Sequence, residues 1–320
     1  MVRARPSQEC PMLAPLPALP GFRLQSYLGS GPSGHVYRAR DELHSCDVAI
    51  KLLDPGRCTP SGLARLAAIA SSPLVSGARR YEVVSDPIHP FVVMDLLPGE
   101  SLLRRLLRTG PLAWKEARTL GQAVAGALAV AHEAGVIHGA VKLTNIFIDR
   151  EHVWLTDFGI RVLTDSNDSS VLLADAGHLA PEQLRGEAPD ERTDLHGLGL
   201  VLFELVTGRL PFEGPPREVF RQQLSRRPPA PSSVVASLPY RADSLLLQLL
   251  DKNPTRRPHS AARVRTILAA DEPLQPCQPT SSEPAASPPG VLASRPRRAH
   301  AVAATVLMAA LAGGLALTCL

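Results

Sequence analysis

The stretch that decides the fold is His138–Asn145, which reads His-Gly-Ala-Val-Lys-Leu-Thr-Asn. The triplet Asp-Phe-Gly begins twelve residues after Asn145, at Asp157, and the β-prone run Val153–Leu155 lies between them. The third residue of the first stretch is Ala140, whose methyl group cannot accept a proton. This loop therefore offers an amine and an amide, but no general base at its third position.

A glycine-rich stretch lies near the start of the chain, where Gly29–Val36 reads Gly-Ser-Gly-Pro-Ser-Gly-His-Val. Glycine lets a backbone approach phosphates closely and adopt positive φ angles. Many such turns bind nothing, but here the β-prone runs Phe22–Leu28 and His35–Arg40 stand on either side. The context is a β-hairpin, not the strand-to-helix turn of a dinucleotide fold.

Hydrophobic periodicity divides the chain into a strand-rich and a helical part. Residues 22–110 contain further strand candidates, and residues 112–270 are mostly helical. The strand candidates are Asp47–Leu53, Tyr81–Val84 and Phe91–Leu96. An apolar stripe predicts a helix over Glu116–Glu133 with Gly135 as its stop signal, and the almost uniformly apolar Leu195–Val206 predicts a buried central helix.

Together these motifs resemble the protein-kinase family, most closely its bacterial serine/threonine kinases. The resemblance covers about residues 22–270, with the motifs in the family's order. It also rests on Val-Ala-Ile-Lys at 48–51, Ala-Pro-Glu at 180–182, Asp194 and Arg257. It implies an α+β, bilobal fold with a β-rich N-lobe at about 22–97 and a helical C-lobe at about 98–270.

The resemblance also implies which residues hold ATP and Mg²⁺. Lys51 would hold the α- and β-phosphates, Asn145 and Asp157 would bind the metal, and Lys142 would be catalytic. The remaining nucleotide contacts would be Gly29, Gly31, Gly34, Val36, Asp95 and Leu97, the last two through their backbone at the adenine. Asp194 would tie down the backbone of the 138–145 loop, and Arg257 would pair with Glu182.

Four positions depart from the family's pattern. Ala140 replaces the aspartate base, whose removal typically costs about 10²–10⁴ in rate. Gly139 replaces the arginine that reads a phosphate on the activation segment, and Asp175 replaces a threonine that positions the hydroxyl substrate. The glutamate that pairs with Lys51 corresponds to Leu63, and Ser61–Ala78 has no acidic residue, so Lys51 is expected to lack its partner.

These departures favour a pseudokinase that binds ATP and Mg²⁺, is catalytically impaired, and acts in signalling by binding an unidentified protein partner. The alternative is a serine/threonine kinase of low activity, because Lys142, Asn145 and Asp157 remain and phosphoryl transfer depends mostly on positioning and charge. A third reading is a decaying gene product without a retained role.

Composition excludes other classes of function. The 320 residues carry a net charge of +4 without a basic face interleaved with aromatics, so nucleic acid is not an expected partner. Five scattered cysteines indicate free thiols in a reducing compartment. Four prolines at positions 11–20 exclude a secretory signal and predict that residues 1–21 form a flexible tail.

The C-terminal end predicts a membrane anchor. Residues 271–299 form a linker rich in Pro, Ser and Arg, and residues 301–320 have no charge or proline and could span a bilayer as a helix. Arginines 295, 297 and 298 precede it, which predicts a single-pass protein of the cell membrane with its kinase-like domain in the cytoplasm. The alternative is a buried core helix. Small residues at 309/313 and 310/314 could support a homodimer.

Overall fold

The structure, a computed structural model, describes residues 16–31, 33–71, 81–150, 152–163 and 169–269. The predicted linker 271–299, the predicted membrane helix 301–320 and the first fifteen residues of the predicted tail 1–21 lie outside these ranges. Among the described residues, no helix combines the length and the apolar character needed to cross a membrane.

The N-terminal part is a five-stranded antiparallel sheet with the strand order β1-β2-β3-β5-β4. Its strands are β1 (Phe22–Gly31), β2 (Gly34–Asp41), β3 (Cys46–Leu53), β4 (Tyr81–Val84) and β5 (Phe91–Asp95). The predicted strands are all present, with ends shifted by at most three residues.

One face of this sheet buries the alternating apolar residues of its strands. Val48 and Ile50 of β3 and Phe91 and Val93 of β5 form a cluster that Leu19 completes. Leu19 is buried, and its carbonyl oxygen accepts a hydrogen bond from the Phe22 amide at 3.1 Å. Packed structure therefore begins within the predicted tail 1–21, because Leu19 is a buried member of this apolar cluster.

Helix α1 (Pro60–Ala70) connects the sheet to the rest of the protein. The Thr59 hydroxyl caps its first turn by accepting a hydrogen bond from the Gly62 amide at 3.0 Å. Below it lies an apolar cluster drawn from both halves of the molecule, which we call the interlobe cluster. Its buried members are Leu53, Leu66, Val92, Ile160 and Leu163.

The C-terminal part is helical, with a small antiparallel sheet of β6 (Glu100–Ser101), β7 (Ile146–Ile148) and β8 (Val153–Leu155). Its helices are α2 (Leu102–Thr109), α3 (Trp114–Glu133), α4 (Ser169–Ala174), α5 (Pro181–Leu184), α6 (Glu191–Thr207), α7 (Pro216–Ser225), α8 (Tyr240–Leu249) and α9 (Ala261–Ala269). Thirteen of the 17 residues of α6 are buried, so α6 is the central helix.

The bilobal α+β architecture is confirmed, with the β-rich lobe preceding the helical lobe. Helix α3 ends at Glu133, and Gly135 adopts the positive φ of 71° expected of a stop signal. The central helix is longer than predicted, because Asp190 caps its start and Gly208 ends it in the left-handed conformation. The first turn of this helix is polar, so the apolar pattern in the sequence did not indicate where the helix begins.

Candidate functional site

A cavity of about 500 Å³ lies between the two lobes and collects most of the predicted site residues. The N-lobe provides Gly29, Gly31, Val36, Lys51, Asp95 and Leu97, and the C-lobe provides Ala140, Lys142, Asn145 and Asp157. Gly34 is absent from the lining residues. These side chains come from distant parts of the sequence, which is typical of a binding site between two layers of a fold.

The glycine loop is the turn of the β1–β2 hairpin, and its glycines have different physical roles. Gly34 has a φ of +144°, and a Cβ there would lie 1.8 Å from the Leu52 carbonyl oxygen. A Cβ on Gly29 or Gly31 would meet nothing within 4 Å. Gly34 is thus required by the packing of β2 on β3, whereas Gly29 and Gly31 leave open space at the cavity.

Lys51 is bound to Asp157, and this corrects the expectation that it lacks a partner. Its Nζ donates to Asp157 Oδ2 at 2.6 Å, and the lysine is only 4% exposed. Asp157 holds a φ of +63°, a conformation that non-glycine residues adopt rarely, so the turn aims its carboxylate at β3. The missing glutamate of α1 is thereby replaced by the carboxylate that was predicted to bind metal.

The loop 138–145 is held by Asp194 at the start of α6, as predicted. Its carboxylate accepts hydrogen bonds from the backbone amides of His138 at 2.8 Å and Gly139 at 2.7 Å. It also contacts His132 Nε2 at 2.9 Å. The His138 ring lies 4.4 Å from the Phe158 ring, and burial lowers its pKa. The start of the loop is therefore fixed without any contribution from the side chain of residue 140.

Ala140 lies at the cavity wall and its methyl group packs against the interlobe cluster. Its carbonyl oxygen accepts a hydrogen bond from Asn145 Nδ2 at 2.9 Å, which ties the two ends of the loop together. Ile160, a buried member of that cluster, lines the same part of the cavity. The position of the base therefore holds a side chain that cannot accept a proton and that packs on the apolar interlobe cluster.

Asp175 is the centre of a buried group of charges. Its carboxylate lies 3.2 Å from Lys142 Nζ, 3.0 Å from Arg161 Nη1 and 3.4 Å from His178 Nδ1. Burial alone would raise the pKa of Asp175, but the hydrogen bond from His178 and the charges of Lys142 and Arg161 hold it well below its usual range. The residue in place of the substrate-positioning threonine is therefore a fixed anion.

Helix α1 is fastened to the segment that follows Asp-Phe-Gly, the 3₁₀ helix Ile160–Leu163. The Thr59 amide donates to the Leu163 carbonyl oxygen at 3.0 Å. A Cβ on Gly62 would lie 2.5 Å from the Val162 carbonyl oxygen, so the two backbones are in close contact. Leu63 packs against the interlobe cluster and is not among the residues that line the cavity.

Glu182 and Arg257 form the predicted buried ion pair behind the site. Two guanidinium nitrogens approach the two carboxylate oxygens at 2.6 and 2.9 Å, and each residue is 3% exposed. The next residue, Gln183, donates from Nε2 to the Gly139 carbonyl oxygen at 2.9 Å. The Ala-Pro-Glu segment is in this way attached both to the C-lobe and to the loop 138–145.

Asn145 and Asp157 both line the cavity and have the oxygen donors that suit Mg²⁺. The Thr144 hydroxyl donates to Asn145 Oδ1 at 3.1 Å, which leaves one lone pair of that oxygen for a metal. Asp157 has a second oxygen beyond the one that binds Lys51. The donor set therefore fits the magnesium ion that the fold implies, with Asn145 and Asp157 as its protein ligands.

The motif patterns missed Arg161 and His178, which complete the charge group around Asp175. Both lie outside the family's motifs. The only sequence feature that indicates them as site residues is that each lies close to a charged residue of the site. His178 follows Asp175 by three residues, and Arg161 follows the Asp-Phe-Gly triplet by two. The aspartate at position 175, with a histidine three residues later, was the available signal for this pair. The ion pair with Arg161 depends on how the segment after Asp-Phe-Gly folds, which the sequence does not indicate.

The bilobal fold and the residues that line its cavity are those of the protein kinase family. The model of the protein kinase domain matches residues 22–268, so the chain belongs to the protein kinase family.

Its relatives include serine/threonine-protein kinase pkn2 of Myxococcus xanthus, 34% identical over 78% of this chain and 32% of the relative. PknL of Mycobacterium tuberculosis is 33% identical over 78% of this chain and 65% of the relative. PknB of Mycolicibacterium smegmatis is 34% identical over 77% of this chain and 42% of the relative. The chain thus spans about one third to two thirds of the length of these relatives, which are serine/threonine-protein kinases.

The crystal structure of the Mycobacterium tuberculosis PknI kinase domain has the same fold. The two structures superpose with a TM-score of 0.63 at 22% identity, over 80% of this chain and 98% of that domain. At this identity the likeness concerns the fold alone.

Proposed function

We propose that this protein binds ATP with Mg²⁺ between its lobes and transfers phosphate poorly, acting mainly through a signalling partner. The observation that carries the proposal is the one cavity that joins the glycine hairpin, Lys51, Asn145 and Asp157 but has a methyl group at residue 140. Membership in the kinase family supports ATP and Mg²⁺ as ligands. The apolar packing of Ala140 supports the impairment, because no proton acceptor stands at that position.

A second function is a working serine/threonine kinase. The named relatives are serine/threonine kinases, and this similarity favours the second function over the first. Lys142, Asn145 and Asp157 are retained, and a loose transition state can proceed by positioning and charge stabilisation. In this case the substrates would be protein hydroxyl groups, and another group would accept the proton.

Nucleotide binding is tested by thermal melting of the full chain in detergent with increasing Mg-ATP. At ten times the Kd, ATP adds about 1.4 kcal/mol to the free energy of unfolding. Lys51→Met should abolish the shift, whereas Lys115→Met, which removes an exposed lysine of α3, should preserve it. A wild-type protein whose melting temperature ignores millimolar Mg-ATP contradicts the proposal.

The two functions differ in the rate of transfer from labelled ATP to the chain itself or to a generic serine-containing protein. Impairment predicts turnover far below the roughly 1–100 s⁻¹ of ordinary kinases. A wild-type rate inside that range, abolished by Asp157→Asn, establishes the working kinase instead.

We further propose that residues 301–320 tether the protein to the cell membrane with the kinase domain in the cytoplasm. The uncharged composition and the three preceding arginines support this. Alkaline carbonate extraction tests it, and release of the protein into the supernatant contradicts the anchor. Dimerisation through the small residues of this segment is tested by Gly313→Leu in a membrane two-hybrid assay, where an unchanged signal rules it out.

A further inference from the structure

Four cationic side chains line the cavity in the described part of the chain: Lys51, Arg104, Lys142 and Arg161. A triphosphate needs such cations along its length, because each phosphate carries negative charge. Lys51 stands where the α- and β-phosphates are expected. Arg104 belongs to α2, which begins five residues after Leu97 at the adenine end. Besides the Mg²⁺ ion that Asn145 and Asp157 would hold, the cationic side chains left for a terminal phosphate are therefore Lys142 and Arg161.

Asp175 already occupies both of these cations. Its carboxylate bridges Lys142 and Arg161, and it lines the same cavity. The side chain cannot easily withdraw, because it is 7% exposed and also contacts His178. It also starts the 3₁₀ helix Ala176–His178, where its carbonyl oxygen accepts a hydrogen bond from the His178 amide at 2.8 Å.

A terminal phosphate would find both of these cations already shared with the fixed carboxylate of Asp175. Like charges a few ångströms apart in a partly buried site repel strongly. A diphosphate ends before this point and avoids the repulsion.

Resting on the nucleotide binding proposed above, we propose that Asp175 is a built-in substitute for the terminal phosphate, so that the site selects nucleoside diphosphates over triphosphates. The carboxylate remains ionised at neutral pH, since its cationic neighbours hold the pKa of Asp175 well below its usual range although burial acts in the opposite sense. ATP still binds, but more weakly than ADP, because its third phosphate is repelled by the Asp175 carboxylate.

The test is calorimetric titration of the full chain in detergent with Mg-ADP and Mg-ATP. The wild-type protein should bind ADP more tightly than ATP. Asp175→Asn keeps the shape and removes the charge, so the ratio of the Kd for ATP to the Kd for ADP should fall about tenfold or more. The matched control is Asp47→Asn, because Asp47 also bridges two arginines, Arg38 and Arg40, but lies outside the cavity.

Each outcome is decisive. A wild-type protein that binds ATP as tightly as ADP or more tightly, or an unchanged ratio in Asp175→Asn, overturns the role of Asp175 while nucleotide binding stands. Binding of neither nucleotide overturns both proposals. If Asp175→Asn fails to fold, the wild-type ratio decides alone, because tighter binding of ADP supports the proposal and equal or tighter binding of ATP contradicts it.

Discussion

Replacing Arg257 by methionine should destabilise the protein strongly. The change leaves the buried Glu182 carboxylate without its guanidinium partner, although the Thr193 hydroxyl still donates to it at 2.9 Å. It also removes the hydrogen bonds that Arg257 donates to the carbonyl oxygens of Arg192 and Asp251. Removing one partner of a buried ion pair costs about 3–5 kcal/mol. For a domain of about 150–250 residues this corresponds to a fall in melting temperature of roughly 6–20 °C.

The loss should also depend on pH with a defined sign. Burial acts to raise the pKa of Glu182, and Arg257 offsets this and holds it below its ordinary value. In the wild type the ion pair therefore stabilises the folded protein fully at pH values above the pKa of Glu182 in the unfolded chain. This stabilisation is lost as the pH falls through the lower pKa of Glu182 in the folded protein. Without Arg257 the folded pKa lies above the unfolded one, so the deficit relative to wild type should shrink as the pH falls toward 5.

The assay is denaturant unfolding of wild type, Arg257→Met and Arg257→Met/Glu182→Gln between pH 5 and 8. The double variant should recover part of the loss, because the unpaired charge is gone. Arg209→Met is the matched control, since its pair with Glu213 is more than half exposed on both sides and should contribute less than about 1 kcal/mol. A loss below about 1 kcal/mol in Arg257→Met, or a loss independent of pH, refutes the reasoning.

Three further changes test other parts of the structure. Gly34→Ala should destabilise the nucleotide-free protein in thermal melts, because its Cβ meets the Leu52 carbonyl oxygen at 1.8 Å, while Gly29→Ala should be nearly neutral; equal melting temperatures contradict this. Ala140→Asp should raise transfer from labelled ATP by less than the roughly 10²–10⁴ of an ordinary base, because Leu63 and Asp175 still depart from the family's pattern; a rate within about 1–100 s⁻¹ contradicts this. Burial lowers the pKa of Lys252 to about 7. The wild type should therefore gain stability relative to Lys252→Met between pH 7 and 10, by at most about 1.4 kcal/mol per pH unit, and parallel stability curves would exclude this.

The sequence was sufficient for the fold because the local patterns and the motif order agree. Alternation in β3 places Val48 and Ile50 in the core on one face of the sheet. Lys51 points to the opposite face and lines the cavity. The pairing of Glu182 with Arg257, 75 residues apart, followed from the resemblance and was confirmed.

The ion pairs inside the cavity could not be predicted in the same way. Lys51 and Asp157 are 106 residues apart, and their contact accompanies a positive φ at Asp157 that no sequence pattern indicated. The bridge from Asp175 to Arg161 depends on the course of the segment after Asp-Phe-Gly, which no local periodicity encodes. Motifs predict which residues share a site, but not which partner each one takes.

The interlobe cluster has a consequence for how the protein unfolds. Leu53, Leu66 and Val92 come from one lobe and Ile160 and Leu163 from the other, so neither lobe can lose its structure without exposing side chains of both. Each large apolar residue in such a position is worth about 2–5 kcal/mol to the folded state. We therefore expect the lobes to melt in one cooperative transition, with equal calorimetric and van't Hoff enthalpies, and not as two independent units.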